Sequence, residues 1–367
     1  MLDSVKLHAA RTPPSAWYTD PRFHAFDRDR LLARTWQYCG PASALAEPGA
    51  SVTAEVAGQP VVFVHDPAAG IRAFYAVCQH RGGPVGVRCG RETFFQCAYH
   101  GWTYNLDGSL RGTPQFERGP GFEPAVHGLK PVRHAEWGGL LFACLDADAP
   151  PLAQFVDGID ALVAQYAPAG NSFHVREHYA VECNWKVYVD NYLEAYHLPL
   201  VHPEYARTLD YGNYREEVHG WWSVQRTGFD GERGYYGALG DGGELFYFML
   251  WPNLMLNVAA GRLQVNFVRP LAHDRCEVAF DYCYADVDSE AARDAIAEDL
   301  RVSARIQGED AAICARVQQG LAFSTVVSLV VVPYVYVLLD TMRLWASGVG
   351  ARARRDSQVG AALSAPR

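Results

Sequence analysis

Apolar runs alternate with turn residues between positions 50 and 145, and this pattern predicts a β-rich segment. The run at 61–78, VVFVHDPAAGIRAFYAVC, has two apolar halves joined by a Pro/Gly turn and predicts a β-hairpin. The run at 93–114, TFFQCAYHGWTYNLDGSLRGTP, repeats this arrangement with an Asp-Gly turn. Residues 1–40 contain one helical pattern, RFHAFDRDRLLARTW, and are predicted to form a lead-in helix.

The second half of the chain combines strand-like runs with a long helical run. A proline-rich joint, DADAPPLAQF, predicts a domain boundary near residue 150. A helical pattern at 182–196 and a helical run at 289–320 flank the strand-like runs GWWSVQRTGF, LFYFMLWPNLMLNV, RLQVNFVRP and CEVAFDYCYAD. The predicted fold class is therefore α+β, with a β-rich domain at 41–150 followed by an antiparallel sheet around a long helix at 151–320.

The stretch at 320–339, GLAFSTVVSLVVVPYVYVLL, contains twenty residues without a charge. Its length and the arginines that follow it fit a membrane span, whereas its valine content fits a buried pair of strands broken at Pro333. It also resembles the last membrane helix of resistance-nodulation-division efflux pumps. We therefore treat 321–367 as an atypical hydrophobic tail: a membrane helix, a buried hairpin, or a fused or frame-shifted terminus.

Composition narrows the class of protein. Hydrophobic residues make up 49% of the chain and charged residues 20%, as in ordinary globular proteins. A net charge of −9 and a pI of about 5.8 argue against a nucleic-acid partner. The 9 cysteines follow no disulfide-scaffold spacing, and the first residues show no signal-peptide pattern, so we expect reduced thiols in the cytoplasm.

Two cysteine–histidine pairs, Cys78-x-His80 and Cys97-x2-His100, are separated by sixteen residues. Two thiolates on one iron and two imidazoles on the other are the ligands of a Rieske [2Fe–2S] cluster. A zinc site is the alternative, but zinc fingers group their cysteines and their histidines, whereas here the two types alternate. Ligand order and spacing therefore favour the cluster. Cys89, between the pairs, and the six other cysteines are interpreted as structural.

The segment NYLEAYHLPLVH, at 191–202, places Glu194, His197 and His202 within twelve residues. Two histidines and one carboxylate on one face of ferrous iron leave positions open, which suits reactions with O₂. On an ideal helix, residues five apart point about 140° apart, so the two histidines would not share a face. Pro199 is predicted to end or kink the helix, which would let His202 return toward His197.

The carboxylate ligand has more than one candidate. Glu194 lies three residues before His197 and could bind the metal directly. Asp310 is the better candidate, because a buried carboxylate needs a cation and Asp310 falls in an apolar helical stripe. The stripe consists of Ile306, Asp310, Ile313 and Val317. Glu309 is predicted to point about 100° away, toward solvent, and is the fallback.

Several motifs resemble those of the Rieske non-heme iron oxygenases. They are the HRGG and HGWTY flanks, the N-x2-E-x2-H-x4-H segment and a late helix with ED and QxGL, and they extend over roughly residues 16–320. Gly83 and Tyr99 stand where respiratory Rieske proteins carry extra cysteines. The resemblance implies a Rieske domain followed by a helix-grip catalytic domain, together forming the catalytic subunit of an oxygenase.

The resemblance also assigns roles to residues. It implies that the cluster is held by Cys78, His80, Cys97 and His100. It implies that mononuclear Fe(II) is held by His197, His202 and Asp310. Glu194 matches the acidic residue that bridges the two centres through a hydrogen bond to His100 of a neighbouring subunit. We expect Asp190 to cap the helix or to support a metal ligand through a hydrogen bond, rather than to bind iron.

The function implied is that of a terminal oxygenase that hydroxylates or oxidatively demethylates a small organic substrate with O₂. Electrons would come from an NAD(P)H-dependent flavin reductase, directly or through a ferredoxin, and the assembly would be a homotrimer or a multiple of it. Glu194, with Asn191 three residues before it, resembles the monooxygenases of choline, glycine betaine and carnitine.

Two alternatives remain at this stage, an aromatic-ring-hydroxylating dioxygenase and a Rieske electron carrier without catalysis. An aromatic cage for a quaternary ammonium and plain packing of the sheet core both explain the aromatic residues of the second domain. These residues are Trp221, Trp222, Tyr235, Tyr236, Phe246, Tyr247, Phe248 and Trp251.

Overall fold

The computed structural model of the chain describes residues 12–86, 90–116, 119–228 and 243–326. The predictions for Cys89, Tyr235 and Tyr236, and those for the tail beyond Val326, lie outside these residues. The lead-in is helical from Ala16 to Arg34, but it is broken into short pieces rather than forming one helix. The pieces are α1 (Ala16–Thr19), α2 (Pro21–Phe26), a π-helical turn (Asp27–Leu31) and a 3₁₀ turn (Leu32–Arg34).

Three small antiparallel sheets form the first half of the described chain, in the orders β1-β10-β9, β4-β3-β2-β5 and β6-β7-β8. Their strands are β1 (Gln37–Pro41), β2 (Ala50–Val56), β3 (Gln59–Asp66), β4 (Gly70–Tyr75), β5 (Gly90–Arg91), β6 (Phe95–Gln96), β7 (Thr103–Tyr104), β8 (Leu110–Gly112), β9 (Arg133–Trp137) and β10 (Leu140–Cys144). Both predicted hairpins are confirmed, since β3 pairs with β4 and β7 pairs with β8 across the Asp-Gly turn.

One antiparallel sheet of seven strands, in the order β11-β17-β16-β15-β14-β13-β12, forms the second half of the described chain. The strands are β11 (Ser172–Val181), β12 (Arg215–Val218), β13 (Trp222–Thr227), β14 (Leu245–Leu250), β15 (Leu254–Ala259), β16 (Arg262–Ala272) and β17 (Arg275–Tyr284). All four strand-like runs are confirmed. The sequence did not indicate β11, because this edge strand buries only Val181 and carries no apolar run.

Two short helices connect the two halves, three more lie between β11 and β12, and one long helix follows the sheet. They are α3 (Leu152–Phe155), α4 (Ile159–Val163), α5 (Trp185–Tyr192), α6 (Leu198–Val201), α7 (Pro203–Ala206) and α8 (Glu290–Val326). Additional 3₁₀ turns lie at Ala42–Leu45, Pro124–His127, Ala164–Tyr166, Pro168–Gly170 and Tyr211–Asn213. The α+β prediction, with an antiparallel sheet beside a long C-terminal helix, is confirmed.

The first residues of the hydrophobic tail are helical, because α8 continues beyond Gly320 to Val326. The alternative prediction of a buried strand is therefore wrong for the beginning of the tail. Phe323, in this last part of the helix, is 71% exposed. Within the part of the chain that the structure describes, no helix has both the length and the apolar character needed to cross a membrane.

The two faces of the large sheet differ in chemistry because side chains alternate along each strand. On β14, Phe246 and Phe248 pack into the apolar core that also contains α3 and α4. Tyr247, between them, points to the opposite face, toward α5 and α8. Tyr247 belongs to a polar row that runs across the sheet, because it pairs with Gln225 on β13 and with Asn257 on β15. This row places polar side chains beneath the long helix.

The buried stripe of α8 differs from the predicted one. Val317 is 45% exposed, so its predicted place in the core is wrong. The buried positions of α8 are instead Ile296, Asp299, Val302, Ser303, Gln307, Cys314 and Gln318. Each polar side chain of this face makes at least one hydrogen bond; Tyr282 Oη, for example, donates to Ser303 Oγ at 2.8 Å. A pattern of hydrophobic residues alone does not detect such a face.

Candidate functional site

The two predicted cluster loops have the same backbone construction. Cys78 follows β4, and Cys97 follows β6. In each loop the glycine four residues later donates its backbone N–H to the cysteine carbonyl, with N–O distances of 3.0 Å for Gly82 and 3.1 Å for Gly101. Both glycines have positive φ, +69° and +73°, which other residues rarely adopt. The chain therefore turns back tightly after each cysteine.

The sulfur atoms of these loops are buried and held by hydrogen bonds. Cys78 and Cys97 are each 3% exposed. Tyr104 Oη lies 3.0 Å from Cys78 Sγ, and the backbone N–H of Tyr99 donates to Cys97 Sγ at 3.4 Å. Desolvation raises the pKa of the Cys78 thiol, while the hydrogen bond from Tyr104 opposes this rise. A thiolate there needs a cation, and iron would supply it.

The two histidines of the loops lie side by side at the surface. The ring centroids of His80 and His100 are 4.8 Å apart, and His80 stacks on Trp102 at the same distance. Desolvation and the neighbouring His100 lower the pKa of His80, which favours the neutral imidazole that binds metals. His80 Nδ1 is buried and has no hydrogen-bond partner among the described residues. Two buried thiols and two neighbouring imidazoles, one of each type from each loop, are the donors that a Rieske [2Fe–2S] cluster needs.

Gly83 tests this assembly, because a side chain there would push the loops apart. A Cβ atom at Gly83 would lie 2.7 Å from Cys97 Sγ and 2.9 Å from Tyr99 Cβ. We expect Gly83→Ala to lose the visible absorption of the cluster while it keeps the mononuclear iron. Gly170→Ala is the matched control, because no atom lies within 4 Å of its added Cβ. A Gly83→Ala protein with a full cluster spectrum would contradict this packing argument.

Around the second candidate site, the chain leaves the helix earlier than predicted. Helix α5 ends at Tyr192, and a turn leads to His197 just before α6. The prediction that Pro199 ends the helix is therefore wrong: Pro199 lies in the first turn of α6, where a missing N–H costs little. His202 follows α6 directly, so one short helical turn separates the two histidines and both reach the same cavity.

His197, His202 and Asp310 converge, although Asp310 comes from α8. One ligand atom from each lies within 4.8 Å of the others. Asp310 Oδ1 is 2.9 Å from His202 Nε2 and 3.7 Å from His197 Nε2. The side chain of His202 is 1% exposed, and those of His197 and Asp310 are 16% exposed. Two imidazoles and a carboxylate on one side fit mononuclear ferrous iron with open positions.

A carboxylate holds the outer nitrogen of each histidine. Glu194 Oε1 lies 2.8 Å from His197 Nδ1, and Glu309 Oε2 lies 2.6 Å from His202 Nδ1. The prediction that Glu309 points to solvent is therefore wrong, because its side chain reaches His202. Burial lowers the pKa of His202, but Asp310 and Glu309 outweigh this effect and the pKa is raised. These contacts leave Nε2 of both rings facing Asp310, as metal ligation requires.

Asn191 and Asp190 also differ in their roles. Asn191 Nδ2 donates to Asp310 Oδ1 at 2.8 Å and so orients the carboxylate. Asp190 instead accepts a hydrogen bond from Tyr18 Oη at 2.7 Å, and desolvation raises its pKa. The supporting role considered for Asp190 at the metal site thus falls to its neighbour, Asn191.

A cavity of about 110 Å³ opens beside the three converging residues. It is lined by tyrosines and by uncharged side-chain amides, and its described lining contains no lysine or arginine. The tyrosines are Tyr188, Tyr192, Tyr205, Tyr214 and Tyr247, and the amides are Asn191, Gln225, Asn257, Gln264, Asn266 and Gln307. The signal for the strand residues was present in the sequence as single polar positions within apolar runs such as LMLNV and RLQVNF.

Most of the residues suggested for an aromatic cage do not line this cavity. Among the described candidates, Tyr247 alone lines this cavity. Trp222, Phe246 and Phe248 are buried in the apolar core on the other face of the sheet. Trp221 stacks on Phe155 with a centroid distance of 4.1 Å. For these residues the packing interpretation is confirmed.

Comparison with known proteins identifies both halves of the chain. Residues 35–130 match the Rieske [2Fe-2S] domain, and residues 171–334 match the catalytic domain of the ring hydroxylating alpha subunit. Choline monooxygenase of Arabidopsis thaliana, a chloroplastic protein, is 34% identical over 86% of this chain and 78% of its own length. The carnitine monooxygenase oxygenase subunit of Escherichia coli is 29% identical over 85% of this chain and 84% of its own.

A solved structure shows the same fold. The quaternary ammonium Rieske monooxygenase CntA, bound to an inhibitor, superposes with a TM-score of 0.76 at 25% identity, covering 84% of this chain and 85% of its own. Together the matches favour an iron–sulfur cluster over a zinc site, and an oxygenase over an electron carrier without catalysis. The chain therefore belongs to the Rieske oxygenases and is a catalytic alpha subunit that uses a [2Fe–2S] cluster and mononuclear non-heme iron.

Proposed function

We propose that this oxygenase hydroxylates or oxidatively demethylates a small quaternary ammonium compound. The observation that carries the proposal is the cavity beside His197, His202 and Asp310, lined by tyrosines and neutral amides. Tyrosine faces attract a quaternary ammonium, and the described lining has no lysine or arginine to repel it. At about 110 Å³ the cavity is smaller than the ~300 Å³ or more of sites for drug-sized ligands.

The names of the relatives support the same substrate class. Two of them are named for choline and for carnitine. Structures of CntA contain L-carnitine or gamma-butyrobetaine as substrate. An aromatic-ring dioxygenase is the alternative raised by the sequence, but the six side-chain amides of the lining favour a polar ligand over an apolar ring.

We assign the residues as follows. The cluster is assigned to Cys78, His80, Cys97 and His100, and the mononuclear iron to His197, His202 and Asp310. When bound, these groups supply one-electron transfer and the activation of O₂. The balanced reaction joins a substrate C–H, O₂, two electrons and two protons to give an alcohol and water. An N-methyl carbon hydroxylated in this way leaves as formaldehyde.

Glu194 is assigned the bridging role between subunits. Its two oxygens accept from His197 Nδ1 and from the His197 backbone N–H, at 2.8 and 3.1 Å. Its side chain is nevertheless 40% exposed. Tyr196 and Leu200 around it are 89% and 85% exposed, an apolar surface suited to burial by another subunit. We propose a homotrimer, or a multiple of it, in which His100 of a neighbouring subunit meets Glu194.

The remaining assignments concern domains, electron supply and compartment. We propose a Rieske domain at 41–150 and a catalytic domain at 151–320. This boundary separates the hydrophobic core around Cys78 and Cys97 from the hydrophobic core around α5 and α8. Electrons would come from an NAD(P)H-dependent flavin reductase, directly or through a ferredoxin. A cytoplasmic location is supported by the described cysteines, all of which are buried and free of disulfides.

The test is turnover of a substrate panel by iron-loaded protein with a surrogate reductase. The panel contains choline, glycine betaine, carnitine and several aromatic acids. We expect substrate-dependent O₂ consumption with at least one quaternary ammonium compound, and formaldehyde if a methyl group is attacked. Diol formation from an aromatic acid, with no turnover of any ammonium compound, would refute the proposed substrate class.

A further inference from the structure

One polar atom of a cavity-lining residue is unsatisfied, and it belongs to Gln307. This residue lies on α8 and lines the cavity, and it is 1% exposed. Tyr188 Oη donates a hydrogen bond to Gln307 Oε1. Gln307 Nε2 is buried and has no acceptor among the described residues. A buried N–H without an acceptor is uncommon in folded proteins and calls for an explanation.

The neighbouring amides show that this is a property of Gln307 rather than of the whole lining. Gln264 Nε2 donates to Asn266 Oδ1 at 2.7 Å, and Gln225 Nε2 donates to the carbonyl of Tyr192 at 2.6 Å. Of the cavity-lining side-chain amides in the described chain, only Gln307 has a buried nitrogen without a partner. The Gln307 amide nitrogen thus has donor capacity for which the described residues provide no acceptor.

The position of Gln307 relates this donor to the reacting part of the site. Gln307 precedes Asp310 by three residues, so the two side chains share one face of α8. The tyrosines contributed by α5, α7 and β14 line the same cavity. A molecule that places its cationic head against tyrosine rings could therefore direct a short oxygen-bearing arm toward Gln307.

We propose that Gln307 Nε2 donates a hydrogen bond to an acceptor oxygen of the substrate and is a specificity-determining residue. The enzyme should then prefer quaternary ammonium compounds with a hydroxyl or carboxylate oxygen over alkyl ammonium compounds of the same size. This inference rests on the proposed function and names the part of the substrate that the site recognises. Sites built to hydrogen-bond a substrate group reject analogues that lack it, because their own polar atom is then left unpaired.

The test compares choline with propyltrimethylammonium, in which a methyl group replaces the hydroxyl. We expect the wild-type protein to prefer choline by about 10-fold to 100-fold in Kd, measured by calorimetry, and in kcat/KM. Gln307→Met keeps the size of the side chain but removes the amide. It should lower the affinity for choline to that for the propyl analogue. The affinity for the propyl analogue should change by less than about 2-fold.

Gln318→Met is the matched control, because Gln318 is also a buried glutamine of α8 but lies outside the cavity lining. Any change in affinity that it causes should be equal for the two ligands. An equal loss for both ligands in Gln307→Met, or a wild-type protein without preference, would overturn the inference while the proposed function stands. Failure of the wild-type protein to bind or oxidise any ammonium compound would overturn both. The ratio of the wild-type affinities for choline and its propyl analogue needs no variant. It therefore tests the inference even if Gln307→Met does not fold.

Discussion

His202→Ala is expected to lose the mononuclear iron and to lower substrate hydroxylation on the order of 1,000-fold or more. The imidazole of His202 is almost fully buried, and its Nε2 lies 2.9 Å from Asp310 Oδ1. Without it, two ligands remain, and the carboxylates of Asp310 and Glu309 lose the ring that they both contact. The iron content should fall from about three atoms per chain to about two, because the cluster is held elsewhere.

The measurement combines an iron count with the visible spectrum of the cluster. The spectrum should be unchanged in His202→Ala. His178→Ala is the control, because His178 is a half-exposed histidine paired with Glu277, away from the converging residues. It should keep all its iron. A His202→Ala protein that retains the third iron and its activity would show that the metal is held by other residues.

The residues of the cluster loops could be predicted because their information is local. The order Cys78, His80, Cys97 and His100, with a glycine four residues after each cysteine, specifies the ligands and the tight turns together. No long-range contact is needed to see that these loops present one thiol and one imidazole each. The contact between Gly83 and Cys97 is different, since it joins the two loops and appears only in the fold.

The mononuclear site was predictable in its ligands but not in its geometry. The helical pattern pointed to Asp310 although the stripe was wrong at Val317, because the buried face of α8 mixes polar and apolar residues. The angle between His197 and His202 followed from an early end of α5, which Pro199 did not reveal. Glu309 reaches back to His202 across a sequence separation of 107 residues, which helical periodicity cannot foresee.

The cavity lining was the least predictable part, because it depends on which face of the sheet each residue takes. Aromatic content alone suggested Phe246 and Phe248, whereas alternation along β14 sends them to the apolar core and sends Tyr247 to the cavity. The row that continues through Asn257 and Gln264 exists only once β14, β15 and β16 are in register. Single polar positions in apolar strands are thus better indicators of a site than clusters of aromatic residues.

Glu194→Gln is expected to slow coupled turnover roughly 10-fold to 100-fold while both iron centres remain in place. A glutamine oxygen can still accept from His197 Nδ1, so the ring should stay oriented. The neutral amide loses the charge and one of the two acceptor oxygens now used by His197. The amide nitrogen that replaces the second oxygen cannot accept a hydrogen bond, so a single oxygen must serve both His197 and His100 of a neighbouring subunit, and the bridge is weakened.

Single-turnover kinetics separate bridging from simple support of the ligand. The chemically reduced cluster should form normally in Glu194→Gln, but its reoxidation by O₂ in the presence of substrate should be slow. Glu309→Gln is a closely matched control: Glu309 holds His202 at 2.6 Å, and the two carboxylates are 40% and 38% exposed. Because Glu309 contacts the buried histidine, its substitution should weaken iron retention more than cluster reoxidation. Equal slowing in both variants would mean that Glu194 only positions His197, and wild-type reoxidation in Glu194→Gln would remove the bridge from the assignment.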